Sequence, residues 1–466
     1  MFIQQLYTNC LAEAAYYIES EGEAVIIDPL RETEPYLSLA AQRGAKIKYI
    51  FETHFHADFI SGHIDLSNLT GAPIIFGPGA ITKYKIYSAK DKETFSIGKL
   101  YLEVLYTPGH TPESSCFLLY DEDNNPYAVF TGDTLFVGDV GRPDLLDEKI
   151  TKEEMAAALF DSLNNKIKPL PDYVIIYPAH GSGSSCGKNI GKEKFSTMGL
   201  QKKSNYALQE TDKDQFIQKL LSGILPPPQY FANDALINKN GYTPLDIVMK
   251  NNLIPLDIDT FKEKTLIENV LILDTRSAEI FEEGFIPGSL NFGLDGQYAI
   301  WVGTLVDINQ PLLLVCEPGR EEEAILRLAR IGYENVLGYL NGGFDTWVKN
   351  NQEEDEVHSI EADEINRLML DNPDAILIDV RKASEYADSH IAGATLVSLA
   401  DMPARRHDFE PDKKYLVYCG GGYRSMIAIS LLKVFGIDKL TNVHGGFSAI
   451  EKVEDIHLDK GARAAH

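Results

Sequence analysis

The residue types able to do chemistry in this 466-residue chain gather in a few short runs. Thr53-His54-Phe55-His56-Ala57-Asp58-Phe59 places two imidazoles one residue apart and a carboxylate two residues further on. Such donors suit a first-row transition metal. Thr107-Pro108-Gly109-His110-Thr111-Pro112, Thr131-Gly132-Asp133-Thr134 and Tyr177-Pro178-Ala179-His180-Gly181 each set one more His or Asp in a turn after a strand-like run. Phe59, which closes the first run, offers no donor atom. A different chemistry is written in Cys419-Gly420-Gly421-Gly422-Tyr423-Arg424, which follows the apolar run KKYLVY and precedes the helical run SMIAISLLKVF. Three glycines let the backbone turn its amides toward a sulfur, and the positive end of the following helix stabilises a thiolate there. The N–H groups from Gly420 to Tyr423 are then predicted to hold a persulfide sulfur.

These residues need strands to present them. Runs at 24–28, 47–53, 73–77, 100–108, 127–133 and 173–180 read as strands, and several end next to a His or Asp. Strand ends are where a sheet offers polar groups to a site. Leu225-Pro226-Pro227-Pro228 cannot continue a helix and is read as a linker or arm. Beyond it the chain repeats itself. LILDTRSAEIFEEGFIPGSLNF matches LIDVRKASEYADSHIAGATLV, and the segment from Cys316 to Trp347 matches that from Cys419 to Ile450. A repeat of this length is a duplicated α/β domain and not a solenoid unit. The reading gives three domains, 1–245, 246–352 and 357–466, in an α/β and α+β multidomain chain.

Composition bounds the function. Asp and Glu total 69 against 43 Lys and Arg, a formal charge of -26 that repels nucleic acid and anionic lipid. No apolar run is long enough to span a bilayer, so no membrane partner is expected. Five cysteines are few and odd in number, which suits a reducing compartment, and the first twenty residues contain no Lys or Arg. A cytoplasmic location and a homo-oligomeric state are the expectations.

The metal-type runs resemble the HxHxDH motif of the metallo-β-lactamase superfamily, with Phe59 in place of its last His. Within it, FTGDTLFVGDVGRPDL is most similar to the persulfide dioxygenases. The resemblance implies an αββα sandwich over about the first 240 residues and one Fe(II) per chain on His54, His110 and Asp133. That two-His, one-carboxylate triad leaves about three positions open for substrate and O2. It further implies that His56, Asp58 and His180 hydrogen-bond around the triad, and that Arg142, in Gly141-Arg142-Pro143-Asp144, clamps an anionic thiol substrate. The expected reaction turns a low-molecular-weight thiol persulfide and O2 into sulfite and thiol.

The Cys419 loop, with Asp379-Val380-Arg381 and His390-Ile391-Ala392-Gly393-Ala394, resembles rhodanese. Its Cys-x4-Arg spacing is that of the sulfurtransferases and one residue shorter than that of the related phosphatases. The resemblance implies that Cys419 and Arg424 form or consume thiosulfate. The first repeat departs from this pattern. Its loop, Cys316-Glu317-Pro318-Gly319-Arg320-Glu321, has an acid at the position of Arg424, loses an amide to Pro318, and carries Phe285 where the second repeat has His390. Carboxylates raise a thiol pKa, so this repeat is read as degenerate, with a structural or docking role. Cys186, in a small-residue loop after His180, is a candidate accessory thiol, while Cys10 and Cys116 are read as packing residues. Two other readings compete: a glyoxalase II-like zinc thioesterase with a sulfurtransferase domain, and a non-catalytic sulfur-relay scaffold.

Overall fold

The alternating pattern of the N-terminal half builds two six-stranded sheets. The computed structural model describes residues 1–145, 150–224 and 226–460, so Leu225 of the proline arm and residues 461–466 lie outside it. The first sheet runs in the order β1 (Phe2–Thr8), β2 (Glu13–Ser20), β3 (Glu23–Ile27), β4 (Lys46–Glu52), β5 (Ile74–Phe76) and β6 (Tyr87–Ser88). The second holds β7 (Thr94–Ile97), β8 (Leu100–Tyr106), β9 (Ser115–Tyr120), β10 (Pro126–Gly132), β11 (Ile175–Pro178) and β12 (Ser196–Thr197).

Strand period 2 explains how the layers form. Along β2, Ala14, Tyr16 and Ile18 point one way and meet Leu102, Val104, Phe117 and Phe130 of the second sheet in a shared core. Ala15 and Tyr17 point the other way and pack with Tyr36, Ala40 and Leu66 from the helices Glu34–Arg43 and His63–Thr70. The outer face of the second sheet packs with Ala156 and Leu159 of helix Lys152–Ser162 and with Phe216 and Leu220. Helices therefore cover both outer faces, giving the expected αββα sandwich.

The C-terminal repeats have the same topology. The first sheet is β13 (Pro255–Leu256), β17 (Val336–Leu340), β16 (Leu312–Val315), β14 (Leu271–Asp274) and β15 (Leu290–Asn291), all parallel. The second is β18 (His358–Ile360), β23 (Leu440–Val443), β22 (Tyr415–Tyr418), β19 (Ile376–Asp379) and β21 (Thr395–Leu396), with a separate pair of β20 (His390–Ile391) and β24 (Leu458–Asp459). Four-residue, almost wholly apolar strands such as Leu312–Val315 are what a parallel sheet buried on both faces requires.

The chain divides into two compact units, Met1–Val248 with Ala329–Gly332, and Met249–Leu328 with Tyr333–His466. The arm after the prolines is more structured than a linker. It carries helices Phe231–Asn240 and Leu245–Asn252, and the first belongs to the N-terminal unit.

Candidate metal centre and thiol loops

Every candidate metal ligand follows the end of a strand. His54 comes after β4, His110 after β8, Asp133 after β10 and His180 after β11, and all four are buried. His110 Nε2 lies 3.3 Å from Asp133 Oδ2, and His54 Nε2 lies 3.9 Å from the same oxygen. The donor atoms of His54, His110 and Asp133 all fall within 4.8 Å of one another.

The remaining ring nitrogens fix the tautomers. Thr53 donates its hydroxyl to Asp28 Oδ2 at 2.8 Å, so it accepts from His54 Nδ1 at 2.9 Å. His110 Nδ1 lies 2.8 Å from the carbonyl oxygen of Arg142, which can only accept. Both rings thus carry their proton on Nδ1 and aim an Nε2 lone pair at Asp133. Burial pushes both imidazoles below the usual histidine pKa, so each is neutral, as a metal ligand must be. Burial alone would raise the Asp133 carboxyl, but the His180 imidazolium beside it holds it below the usual carboxylate range. His54 Nε2 and Asp133 Oδ2 are buried and accept no hydrogen bond. Orphaned, convergent donors of this kind fit a metal ion. Two glycines make the approach possible. A Cβ on Gly132 would lie 2.6 Å from the Thr53 side chain, and one on Gly141 would lie 2.1 Å from the Asp133 carbonyl.

The other donors are engaged around this triad. His180 spans two carboxylates, with Nδ1 at 2.8 Å from Asp133 Oδ1 and Nε2 at 2.8 Å from Asp58 Oδ2. Against the lowering effect of burial, those two carboxylates raise its pKa well above the usual value. His56 turns to Asp28 Oδ1 at 3.2 Å and Glu52 Oε2 at 3.5 Å. Phe59 is fully buried and packs its ring on His56 at 4.4 Å between centroids. Asp28–Glu52–His56 and Asp58–His180–Cys186 form two further compact donor groups.

Two residues sit differently from the sequence reading. Cys186 is buried and not displayed by a flexible loop, and burial pushes its thiol pKa well up. Arg142 is also buried, and its guanidinium forms a bidentate pair with Asp144 at 2.7 and 2.8 Å. That pairing leaves less free charge for an anion clamp than the sequence suggested. The backbone of Arg142 has a clearer place, since its carbonyl orients His110.

In the second repeat, Cys419 directly follows β22 and Gly422 N–H donates to its Sγ at 3.1 Å. Among the described residues this is the one loop amide that reaches the sulfur, fewer than the ring of donors expected from Gly420, Gly421, Gly422 and Tyr423. Tyr423 instead directs its hydroxyl to the Gly293 carbonyl of the first repeat at 2.9 Å. Arg424 pairs with Glu385 through Nη1–Oε2 at 2.7 Å and Nη2–Oε1 at 2.8 Å. In the first repeat, burial first and then Asp274 and Glu321 push the Cys316 thiol up to about 12. Cys116 packs beneath the helices on the outer face of the second sheet, as its apolar surroundings suggested.

Sequence reasoning missed Asp28, Asn238 and Glu385. Asp28 ends the strand beside β4, and a carboxylate closing an apolar run such as AVIID was a readable signal. Asn238 donates to the carbonyls of His56 and Phe59 at 2.8 and 2.7 Å and accepts from Ser61 N, so it ties down the metal loop from about 180 residues away. No local pattern announces that contact.

The family models match in two places. That of the metallo-beta-lactamase superfamily covers residues 8–180, and the rhodanese-like domain covers 258–350 and again 361–452. The chain is similar to a probable hydroxyacylglutathione hydrolase of Schizosaccharomyces pombe, 34% identical over 38% of this chain and 66% of that protein. It is also similar to a human mitochondrial persulfide dioxygenase, 36% identical over 34% of this chain and 59% of that one. The chain thus spans somewhat less than two thirds of these two relatives. A solved structure named as a metallo-beta-lactamase from Staphylococcus aureus is 34% identical, with a TM-score of 0.66, over 73% of this chain and 99% of that one. The chain therefore belongs to the metallo-beta-lactamase superfamily, in a form that carries two rhodanese-like domains after the lactamase-type domain.

Proposed function

We propose that the N-terminal domain is a persulfide dioxygenase and the last domain a sulfurtransferase, with the work divided over residues 1–245, 246–352 and 357–466. The observation that carries this reading is the state of the donors around His54, His110 and Asp133. A hydrolytic pair of metals would need donors at the Phe59 position and from His56 and His180. Here a phenyl ring fills the first, His56 faces Asp28 and Glu52, and His180 spans Asp133 and Asp58.

His54, His110 and Asp133 would hold one Fe(II), whose open positions let a sulfur substrate and O2 meet side by side. Thr53 and the Arg142 carbonyl keep the two imidazoles in the ligating tautomer. His180 engages Asp133 Oδ1 and leaves Oδ2 without a hydrogen bond, so Oδ2 is the oxygen that would ligate. In balance, one persulfide, one O2 and one water give one thiol, one sulfite and two protons. Cys419 would take the sulfane sulfur of thiosulfate: its thiolate attacks the terminal sulfur, the S–S bond breaks, and sulfite leaves with the electron pair.

The similarity to the S. pombe hydrolase supports a second reading, a zinc thioesterase. Metal analysis of protein produced without added metal, together with oxygen uptake on glutathione persulfide, separates the two. About one iron per chain and persulfide-dependent oxygen uptake, lost in His54→Ala, are expected. Retained zinc with thioester cleavage and no oxygen uptake would overturn the dioxygenase assignment.

A further inference from the structure

The two repeats are each other's control. They align at Asp274 with Asp379, Arg276 with Arg381, Phe281 with Tyr386, Cys316 with Cys419 and Gly319 with Gly422. Features that hold up the fold recur in both. Arg276 pairs with Asp274 at 2.6 Å and donates to the Gly284 carbonyl at 2.8 Å; Arg381 pairs with Asp379 at 2.7 Å and donates to the Ser389 carbonyl at 2.7 Å. Phe281 stacks on Phe285 at 4.0 Å, and Tyr386 stacks on His390 at 3.6 Å.

One ion pair breaks this pattern. Glu385, on helix Ala383–Asp388, holds Arg424 through both guanidinium Nη atoms. The aligned residues in the first repeat are Ile280 and Glu321, so both partners are gone together. Ile280 is exposed and packs no core. A pair needed for folding would persist in a repeat that folds the same way, as Asp274–Arg276 does. The pair also sits at the loop: a Cβ on Gly420 would lie 2.9 Å from Arg424 Nη2 and 3.8 Å from Glu385 Oε1.

We infer that Glu385 is a positioning residue for sulfur transfer, fixing Arg424 over Gly420 so that the guanidinium binds the sulfonate oxygens of thiosulfate or sulfite. The fork consumes one N–H of each Nη and leaves Nε–H and the two outer N–H groups for an anion. The carboxylate also offsets the guanidinium charge, so recognition rests on the direction of these donors and less on net charge. A free Arg424 would sample many rotamers and lose that direction.

The inference rests on Cys419 as the sulfur carrier, and the test separates the two claims. Transfer from thiosulfate to cyanide is measured for Cys419→Ser, Glu385→Gln, Glu385→Asp, Arg424→Lys and the Glu385→Gln/Arg424→Lys double variant, with persulfide-dependent oxygen uptake followed on the same proteins. Glu385→Gln is expected to raise KM for thiosulfate about tenfold while kcat holds within about twofold, with Glu385→Asp in between. The double variant should be no worse than Arg424→Lys alone, because both substitutions break one unit. An unchanged KM in Glu385→Gln, or losses that multiply in the double variant, would overturn the positioning role. So would a parallel fall of kcat, KM and Tm that Glu385→Asp does not rescue, since that is the mark of a structural pair. Sulfur transfer surviving in Cys419→Ser would instead overturn the carrier assignment.

Discussion

The loops around Cys316 and Cys419 share a backbone and differ in chemistry. In both, the glycine three residues after the cysteine has a positive φ, 92° at Gly319 and 103° at Gly422. In both, a later glycine lets the cysteine carbonyl approach closely: a Cβ on Gly343 or Gly446 would lie 2.4 Å from it. The amide at the shared position has different work. Gly422 N–H donates to Cys419 Sγ at 3.1 Å, whereas Gly319 N–H donates to Glu321 Oε2 at 2.8 Å. The acid at the position of Arg424 thus puts a carboxylate where the second repeat has a cation and takes the amide that in the second repeat faces the sulfur. A fold can keep its loop geometry while a few side chains change what the loop can bind.

The comparison breaks most sharply at the sulfurs themselves. Cys419→Ser is expected to cut thiosulfate-to-cyanide transfer by at least about a hundredfold, because a serine hydroxyl is neither ionised nor able to carry sulfane sulfur. Oxygen uptake on persulfide should stay within about twofold, since the metal donors lie in the other compact unit. An equal loss of both activities would refute independent sites.

A gentler probe asks whether the shared amide matters in only one repeat. Nothing lies within 4 Å of a Cβ built on either Gly319 or Gly422, so alanine brings the same backbone strain to both and no clash to either. The strain costs about 1 to 3 kcal/mol at each site. Both variants should lose a few degrees of Tm, about equally. Gly422→Ala should also lower transfer about tenfold, through the amide that faces the sulfur, and Gly319→Ala should leave it within about twofold. Equal effects on transfer would mean that the first loop also takes part.

Legibility in the sequence followed the range of the interactions. The repeated α/β domain could be read because self-similarity is a local signal, as in the two Cys loops, whereas the αββα sandwich was carried by the family resemblance. The grouping of His54, His110 and Asp133 likewise came from that resemblance, which their places after strands carry. What could not be read depends on side-chain direction. Asn238 grips the His56–Ser61 loop from a helix in the segment that reads as a proline-rich arm, whereas the Arg142–Asp144 pair, two residues apart, was one of the readings the sequence left open. Cys186 fell in a run of Gly and Ser that reads as flexible, yet tertiary burial overrides that composition.

The smallest expected effect is at Cys316. Cys316→Ser should change transfer by less than about twofold, because a thiol held near 12 is almost wholly protonated at neutral pH and its loop amide is already taken by Glu321. Its trace should appear in alkaline stability instead. The folded thiol titrates at about 12, against an ordinary value of 9.0. Between those values the unfolded chain releases a proton that the folded chain keeps. Folding then binds a proton, and stability falls as pH rises, by about 1.4 kcal/mol per pH unit from this one group. Below pH 9 the group contributes no slope. Serine has no such titration, so the stability difference between wild type and Cys316→Ser should be flat from pH 7 to 8.5 and shift toward the variant above pH 9. Urea unfolding across that range measures it. A flat difference up to pH 10.5 would show that Cys316 ionises as an ordinary thiol, and with it that the first loop is less hostile to a thiolate than its burial and neighbouring carboxylates imply.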